Sequence, residues 1–377
     1  MDTVQPYILY GVPHSLYTGK VRCYLRNQRI DYVERPTSHP DFAMHVVPHI
    51  GRSIIPVLQT PEGELIQDSI DIIDHFEKRG STFSVYPDTP LQRMAAIIIE
   101  YYGGQAMLKQ AMHYRWSFLD EQQQFLRHAF ASGSGAEMAD RIMQRMQSYL
   151  PRLGIHASSI APIEASFIAL LDILERHFEQ LPYLLGGRPS VADYGLIGPM
   201  FAHLGRDPVP SAIMKTRAPG VYRWVERMTA PGLDVVEYPD CEPSFPADDR
   251  LPPTLEPLLR HIARDIFPEL SDKIAFMDDW LARVQPADGD PVTDKPQVRQ
   301  LGLLQTQYHG VPIEVGVEPY LMIVLQRATP DVGAFDEATM KRAYEVLASL
   351  GLSEALTTLR SYKVARVNNR EVWVAKE

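Results

Sequence analysis

Cysteine is almost absent from this sequence: Cys23 and Cys241 are its two thiols in 377 residues. So few exclude a disulfide framework and a thiolate zinc site, and they suit a reducing compartment. Positive charge is in deficit, with 37 Lys plus Arg against 47 Asp plus Glu and a net charge of −10. Such a chain lacks the bulk attraction that brings proteins to nucleic acid or to anionic lipid. No apolar run approaches the ~20 residues of a membrane-spanning helix. Residues 1–6 lack the basic-then-apolar order of a signal peptide. Internal repeats and low-complexity tracts are missing too. These absences point to a soluble, cytoplasmic protein. What is present is a globular balance, 45% hydrophobic and 22% charged. The length exceeds one ordinary core, so two or three domains are expected.

The first 80 residues read as alternating strand and helix. Tyr7-Ile8-Leu9-Tyr10 is a short apolar strand stopped by Gly11 and Pro13. Residues 18–27 read as a helix with Val21, Tyr24 and Leu25 on one face. Residues 31–35 fit a second strand, and residues 36–53 a polar loop with His39, His45 and His49. Ile54 to Leu58 and Glu64 to Ile66 form a hairpin around Pro61-Glu62-Gly63. Asp68 or Ser69 then caps a helix reaching Lys78, with Ile70, Ile73 and Phe76 inward. After Pro87 and Pro90 the spacing is helical almost throughout, interrupted by a loop at Ser132-Gly133-Ser134-Gly135. Ser190 and Asp193 make a capping box, Ser190 accepting from the third amide and Asp193 reaching back to the cap amide. Pro219 opens a helix carrying Trp224, Val225 and Met228. Seven prolines between 231 and 257 forbid regular structure and read as an extended connector. Beyond it, residues 255–266, 273–284 and 335–350 look helical, and residues 301–315 look like a hairpin. The clearest hairpin spans 362–375, because Asn368-Asn369 tolerates positive φ.

The stretch Tyr10-Gly11-Val12-Pro13-His14-Ser15-Leu16-Tyr17-Thr18-Gly19-Lys20-Val21-Arg22 is a strand, a loop and a helix start. Together with Ile55-Pro56, Gln67-Asp68-Ser69 and the Ser190–Asp193 box, it makes residues 7–235 resemble the glutathione transferase superfamily, serine-type classes in particular. The resemblance implies an α+β fold in three parts: a thioredoxin-like, glutathione-binding domain at 1–82, an all-helical domain at 88–235, and an additional α+β region of unknown role at 250–377. It makes Ser15 the active hydroxyl, six residues before Val21. A hydroxyl at a helix N-terminus donates to a thiolate, and the helix dipole favours the anion. Tyr17 is the reserve donor, and Tyr10 stands near the tyrosine of other classes. Ser15 read alone is equally a turn serine or an N-cap.

The same resemblance implies a cis bond at Ile55–Pro56 that lets the Ile55 main chain pair with the cysteinyl part of glutathione. Ser69 and the amides around it would hold the γ-glutamyl carboxylate, with Asp68 near the amine. Either residue can also be a plain N-cap. The glycyl carboxylate needs a cation, and Arg52 is preferred over His45 and His49 because it stays charged. His39, His45, His49 and Asp41 form an alternative metal set, although no metal is expected. The co-substrate would lie against Tyr102, His113, Arg115 and Trp116, beside Tyr101 and Met112. Interhelical packing with Arg115 as an ion-pair partner is the other reading of that cluster. Cys23 reads as a buried small hydrophobe.

The implied activity is attack of the glutathione thiolate on a hydrophobic electrophile, in a homodimer with glutathione as co-substrate. The alternative is a non-catalytic binding or regulatory protein acting through its C-terminal extension, since fold alone does not carry activity.

Overall fold

A computed structural model describes residues 5–232, 237–329 and 335–376. Residues 1–4, part of the segment read above for a signal sequence, lie outside the described residues, as do 233–236 in the proline-rich connector. In chain order the elements are β1 Tyr7–Tyr10, α1 Leu16–Asn27, β2 Tyr32–Arg35, α2 Val47–Ile50, β3 Val57–Gln59, β4 Leu65–Gln67 and α3 Ser69–Glu77. There follow α4 Pro90–Tyr101, α5 Leu108–Trp116, α6 Leu119–Ser134, α7 Ala136–Gln147, α8 Ile160–Phe178, α9 Val191–Ala202, α10 Pro208–Arg217 and α11 Pro219–Thr229. The remainder is α12 Glu256–Ile266, α13 Glu269–Val284, β5 Gly302–Tyr308, β6 Val311–Val317, α14 Tyr320–Leu325, α15 Glu337–Ser349, β7 Tyr362–Val367 and β8 Arg370–Ala375. Packing divides the chain into two compact units. The first holds residues 1–85, 111–149 and 196–237, and the second holds 86–110, 150–195 and 238–377.

In the first unit the sheet order is β2-β1-β3-β4. β1 runs parallel to β2 and antiparallel to β3, and β3 pairs antiparallel with β4. Leu9 and Leu58 face each other in register and are wholly buried. Val21, Tyr24 and Leu25 of α1 are buried too, as are Ile70, Ile73 and Phe76 of α3. This is a thioredoxin-like sheet. The segment expected to be a loop is ordered: residues 42–46 form a π-helical turn that continues into α2. Its reason is an apolar period of four, which packs Phe42, Val46 and Ile50 against Tyr10 and Val57 and leaves His45 and His49 exposed. The Ser132–Gly135 loop is also shorter than expected. α6 runs to Ser134, and the break falls at Gly135, whose φ of 86° ends the helix. Gly133 stays inside α6 because a Cβ there would lie 2.6 Å from the Val12 side chain.

In the second unit the carboxylate of Asp193, fully buried, accepts from the Leu184 amide at 3.0 Å and the Ser190 amide at 2.9 Å. The Ser190 hydroxyl donates to the same carboxylate at 3.0 Å. The connector has no regular element among its described residues before 253, yet it is docked. The Gly187 amide donates to the Ser244 carbonyl at 3.0 Å, and a Cβ on Gly187 would meet the Glu242 carbonyl oxygen at 1.7 Å. Gln92 Nε2 donates to the carbonyls of Pro246 and Arg250 at 2.7 and 2.9 Å. Asp249 accepts from the Leu91 and Gln92 amides at 3.0 and 3.1 Å, capping α4 from the far end of the connector. Both expected C-terminal hairpins form antiparallel pairs, β5 with β6 and β7 with β8. α13 begins at Glu269, earlier than the apolar spacing suggested, and α14 is an additional helix whose six side chains are all buried. Cis bonds occur at Ile55–Pro56 and Phe267–Pro268. Among the described residues no helix is long and apolar enough to cross a membrane.

Asp249→Ala strips two amides at the start of α4 of their acceptor, so the variant is expected to lose about 0.5–2 kcal/mol. Chemical denaturation of the full chain measures this, and an unchanged midpoint contradicts the capping role.

Candidate functional site

Ser15 is the N-cap of α1. Its extended backbone, φ −86° and ψ 125°, turns Oγ onto the helix, where it accepts from the Thr18 amide at 3.3 Å. A hydroxyl that accepts in this way keeps its own hydrogen for another acceptor. The first turn of α1 carries no acidic residue, so the positive end of the helix is not neutralised from within. Ser15 and Tyr17 are both half-buried. Tyr10 is turned into the domain instead, its hydroxyl donating to Gln59 at 3.1 Å.

A second group gathers where β4 meets α3. Asp68 has φ 90°, and its carboxylate accepts from the Ile70 amide at 2.9 Å as the N-cap of α3. The Asp68 amide donates to the Pro56 carbonyl at 3.5 Å, tying this corner to the Ile55–Pro56 step. Ser69 is buried at the first position of α3. Arg52, also buried, donates through Nη2 to Gln67 Oε1 at 3.4 Å. Hydrogen bonds therefore link Arg52 to Gln67 and Asp68 to Pro56, with Gln67 and Asp68 adjacent in the chain, while Ile55 stays half-exposed beside them.

The residues expected at a co-substrate pocket are in the interior instead. Arg115 is 2% exposed, and all five of its donor hydrogens have acceptors. Nε and Nη2 take both oxygens of Asp207 at 2.7 and 3.0 Å. Nη1 reaches the His14 carbonyl at 3.0 Å and His203 Nε2 at 2.9 Å, and Nη2 also donates to the Ala202 carbonyl. His113 is buried with Nδ1 2.9 Å from Ser117 Oγ, and Trp116 packs on Phe130 at 5.7 Å. Tyr102 belongs to the second unit and is fully buried. Its hydroxyl donates to Asp265 at 2.6 Å. All four are at most 5% exposed, and their contacts are packing and ion-pair contacts.

Around Asp265 the second unit collects donors from several helices and a hairpin. Ser166 donates at 2.7 Å, His309 Nε2 stands at 2.7 Å, and Tyr308 donates at 3.3 Å. Burial opposes the charge of Asp265, but hydrogen bonds from His261 and His309 outweigh it and hold the carboxyl far below the usual range. Glu269 is likewise buried, yet Lys109 and Lys273 bring its carboxyl down to about 2. Sequence reasoning missed this cluster because its members are scattered from 102 to 309.

It also passed over His14, although the residue adjoins Ser15. The His14 ring packs on Phe130 at 4.1 Å, and burial together with the Arg115 charge lowers its pKa to about 3. Burial pushes the Cys23 thiol up to about 12, which makes it inert as a nucleophile. Among the described residues no three His, Cys, Asp or Glu side chains are arranged to hold a metal ion.

The sheet and the helices after it define a thioredoxin-like domain followed in the chain by a helical domain. Residues 9–82 match the family model for the glutathione S-transferase N-terminal domain, and residues 157–227 match that for its C-terminal domain. The chain therefore carries the N- and C-terminal domains of the glutathione S-transferase superfamily, with an additional region beyond about residue 230. Similar solved structures include a glutathione transferase from Phanerochaete chrysosporium, at 16% identity and TM-score 0.43, covering 62% of this chain and 100% of that one. Another is a Methylobacterium radiotolerans glutathione S-transferase in complex with glutathione sulfonate, at 19% identity and TM-score 0.38, covering 60% of this chain and 92% of its own. A Xanthobacter autotrophicus glutathione S-transferase is similar at 16% identity and TM-score 0.35, with 61% and 97% covered. No curated protein matches the chain.

His14 stays neutral in the folded state while the unfolded chain takes up a proton below 6.5, so its contribution is whole above 6.5 and is lost as pH falls toward 3. His14→Leu is expected to flatten the fall of stability across that window, measured by denaturation at a series of pH values. A slope identical to the wild type contradicts the assignment.

Proposed function

We propose that this protein is a glutathione-dependent transferase in which Ser15 stabilises the glutathione thiolate. The observation that carries the reading is the Ser15 cap. Its Oγ accepts from Thr18 and keeps a hydrogen to donate, at a helix end with no internal acid to compete for its potential. Family membership supplies the thiol. Arg52 is the cation for the glycyl carboxylate, the Ile55 main chain meets the cysteinyl segment, and Ser69 with the first amides of α3 receives the γ-glutamyl carboxylate. The thiolate then attacks an electrophilic carbon: a C–S bond forms while the leaving group departs with its electron pair. Stabilising a thiol that titrates near ~8.5 by one or two units populates this nucleophile at neutral pH.

One observation favours a second reading, a non-catalytic binding or regulatory protein acting through its C-terminal extension. The Asp68 carboxylate is engaged as the cap of α3, which draws it away from a ligand amine. Retention on immobilised glutathione without turnover of any electrophile would support that reading.

Ser15→Ala tests the proposal. With glutathione and an activated aryl chloride, kcat is expected to fall by about 10² while KM for glutathione changes little. The pKa of the bound thiol, followed by thiolate absorbance, should rise by about one to two units. Unchanged kcat and an unchanged thiol titration refute the role of Ser15.

A further inference from the structure

Three guanidinium groups and two carboxylates occupy one part of the first unit. Arg22 pairs with Glu34, Nε to Oε2 at 2.7 Å, and Arg115 takes both oxygens of Asp207. Arg206 is the third. It lies half-buried in the turn between α9 and α10, and among the described residues no hydrogen bond or ion pair engages its guanidinium. Its contacts are aromatic, 5.9 Å over the Phe125 ring and 5.9 Å over the Phe201 ring. Burial and the nearby charge of Arg115 lower its pKa, with Asp207 compensating only in part. The local balance is therefore one positive charge in excess.

The surroundings place this charge beside the site already described. Phe201 packs toward Gly19 of α1, 3.8 Å from where a Cβ would stand. Arg206 also acts on the His14 imidazole, next to Ser15. Phe125, on α6, is 36% exposed, so an apolar ring faces solvent next to an unpaired cation. A guanidinium binds a carboxylate through two parallel hydrogen bonds, and an open aromatic face adds stacking area.

We propose that Arg206 and Phe125 form a binding site for an organic carboxylate with an aromatic body, its carboxylate on the guanidinium and its ring on Phe125. The site stands on the surroundings of Arg206 and needs no glutathione. The exposed ring selects a ligand with an aromatic body over an inorganic anion.

Calorimetric titration of the full chain with benzoate, benzamide and inorganic phosphate tests it. Benzoate is expected to bind at least about tenfold more tightly than benzamide, which lacks the charge, and than phosphate, which lacks the ring. Arg206→Gln should abolish the preference over benzamide, and Phe125→Ala should weaken benzoate. The melting temperature of Arg206→Gln should fall only slightly, because the guanidinium has aromatic contacts but no hydrogen bond or ion pair to lose. Saturating glutathione should leave benzoate affinity intact even if Ser15→Ala proves silent, which separates this site from the transferase reading. Equal binding of benzoate and benzamide overturns the proposal, as does a preference that survives Arg206→Gln. Phosphate binding as tightly as benzoate, or competition by glutathione, overturns it equally.

Discussion

A single buried guanidinium holds together the part of the molecule on which the functional reading rests. Arg115 spends its donors on the Asp207 carboxylate, on the carbonyls of His14 and Ala202, and on His203. Because His203 Nε2 accepts from a cation, its ring is neutral there, in keeping with a pKa pushed well below the usual value by burial and by Arg115. Buried ion pairs gain little net stability over apolar packing, but they fix geometry, since a buried charge without its partner is costly. Here the geometry fixed is the backbone immediately before Ser15. The start of α1 is thereby held to the end of α9 and the cap of α10. A serine cap is useful only if the loop that carries it cannot drift.

The second unit shows how the region beyond the family's usual extent is built into the chain. Its connector caps α4 through Asp249 and crosses Gly187 so closely that no side chain fits there. Tyr308 and His309, at the end of β5, reach the Asp265 carboxylate that also receives Tyr102 and Ser166. Polar groups buried together this way cost free energy unless each is paired, so the network specifies one arrangement of helices and hairpin. The additional residues are structural partners of the helices in this unit.

Much of this was legible in the residues, for reasons that differ from place to place. Alternation and turn chemistry located the last hairpin to the residue, because Asn368 and Asn369 adopt the positive φ values of 47° and 62° that the turn requires. The Ser15 cap was readable because a serine just before a helical period is a favoured acceptor for the first amides. The segment at 36–53 misled because Pro48 and three histidines look like loop chemistry, while the deciding signal was the period of Phe42, Val46 and Ile50. α14 was invisible since an unbroken apolar run has no periodicity to read. Arg115 and Tyr102 looked like pocket residues because burial cannot be told from residue type. Arg206 showed nothing in sequence, for its meaning lies in the partners it lacks.

In the proposed complex a glutathione molecule lies along the first unit from the Ile55–Pro56 step to the first turn of α1. Hydrogen–deuterium exchange of the full chain, with and without glutathione, addresses this directly. Slowed exchange confined to residues 15–19 and 52–70 is the predicted result. Exchange unchanged in both segments, or slowed only within residues 256–376, would contradict it.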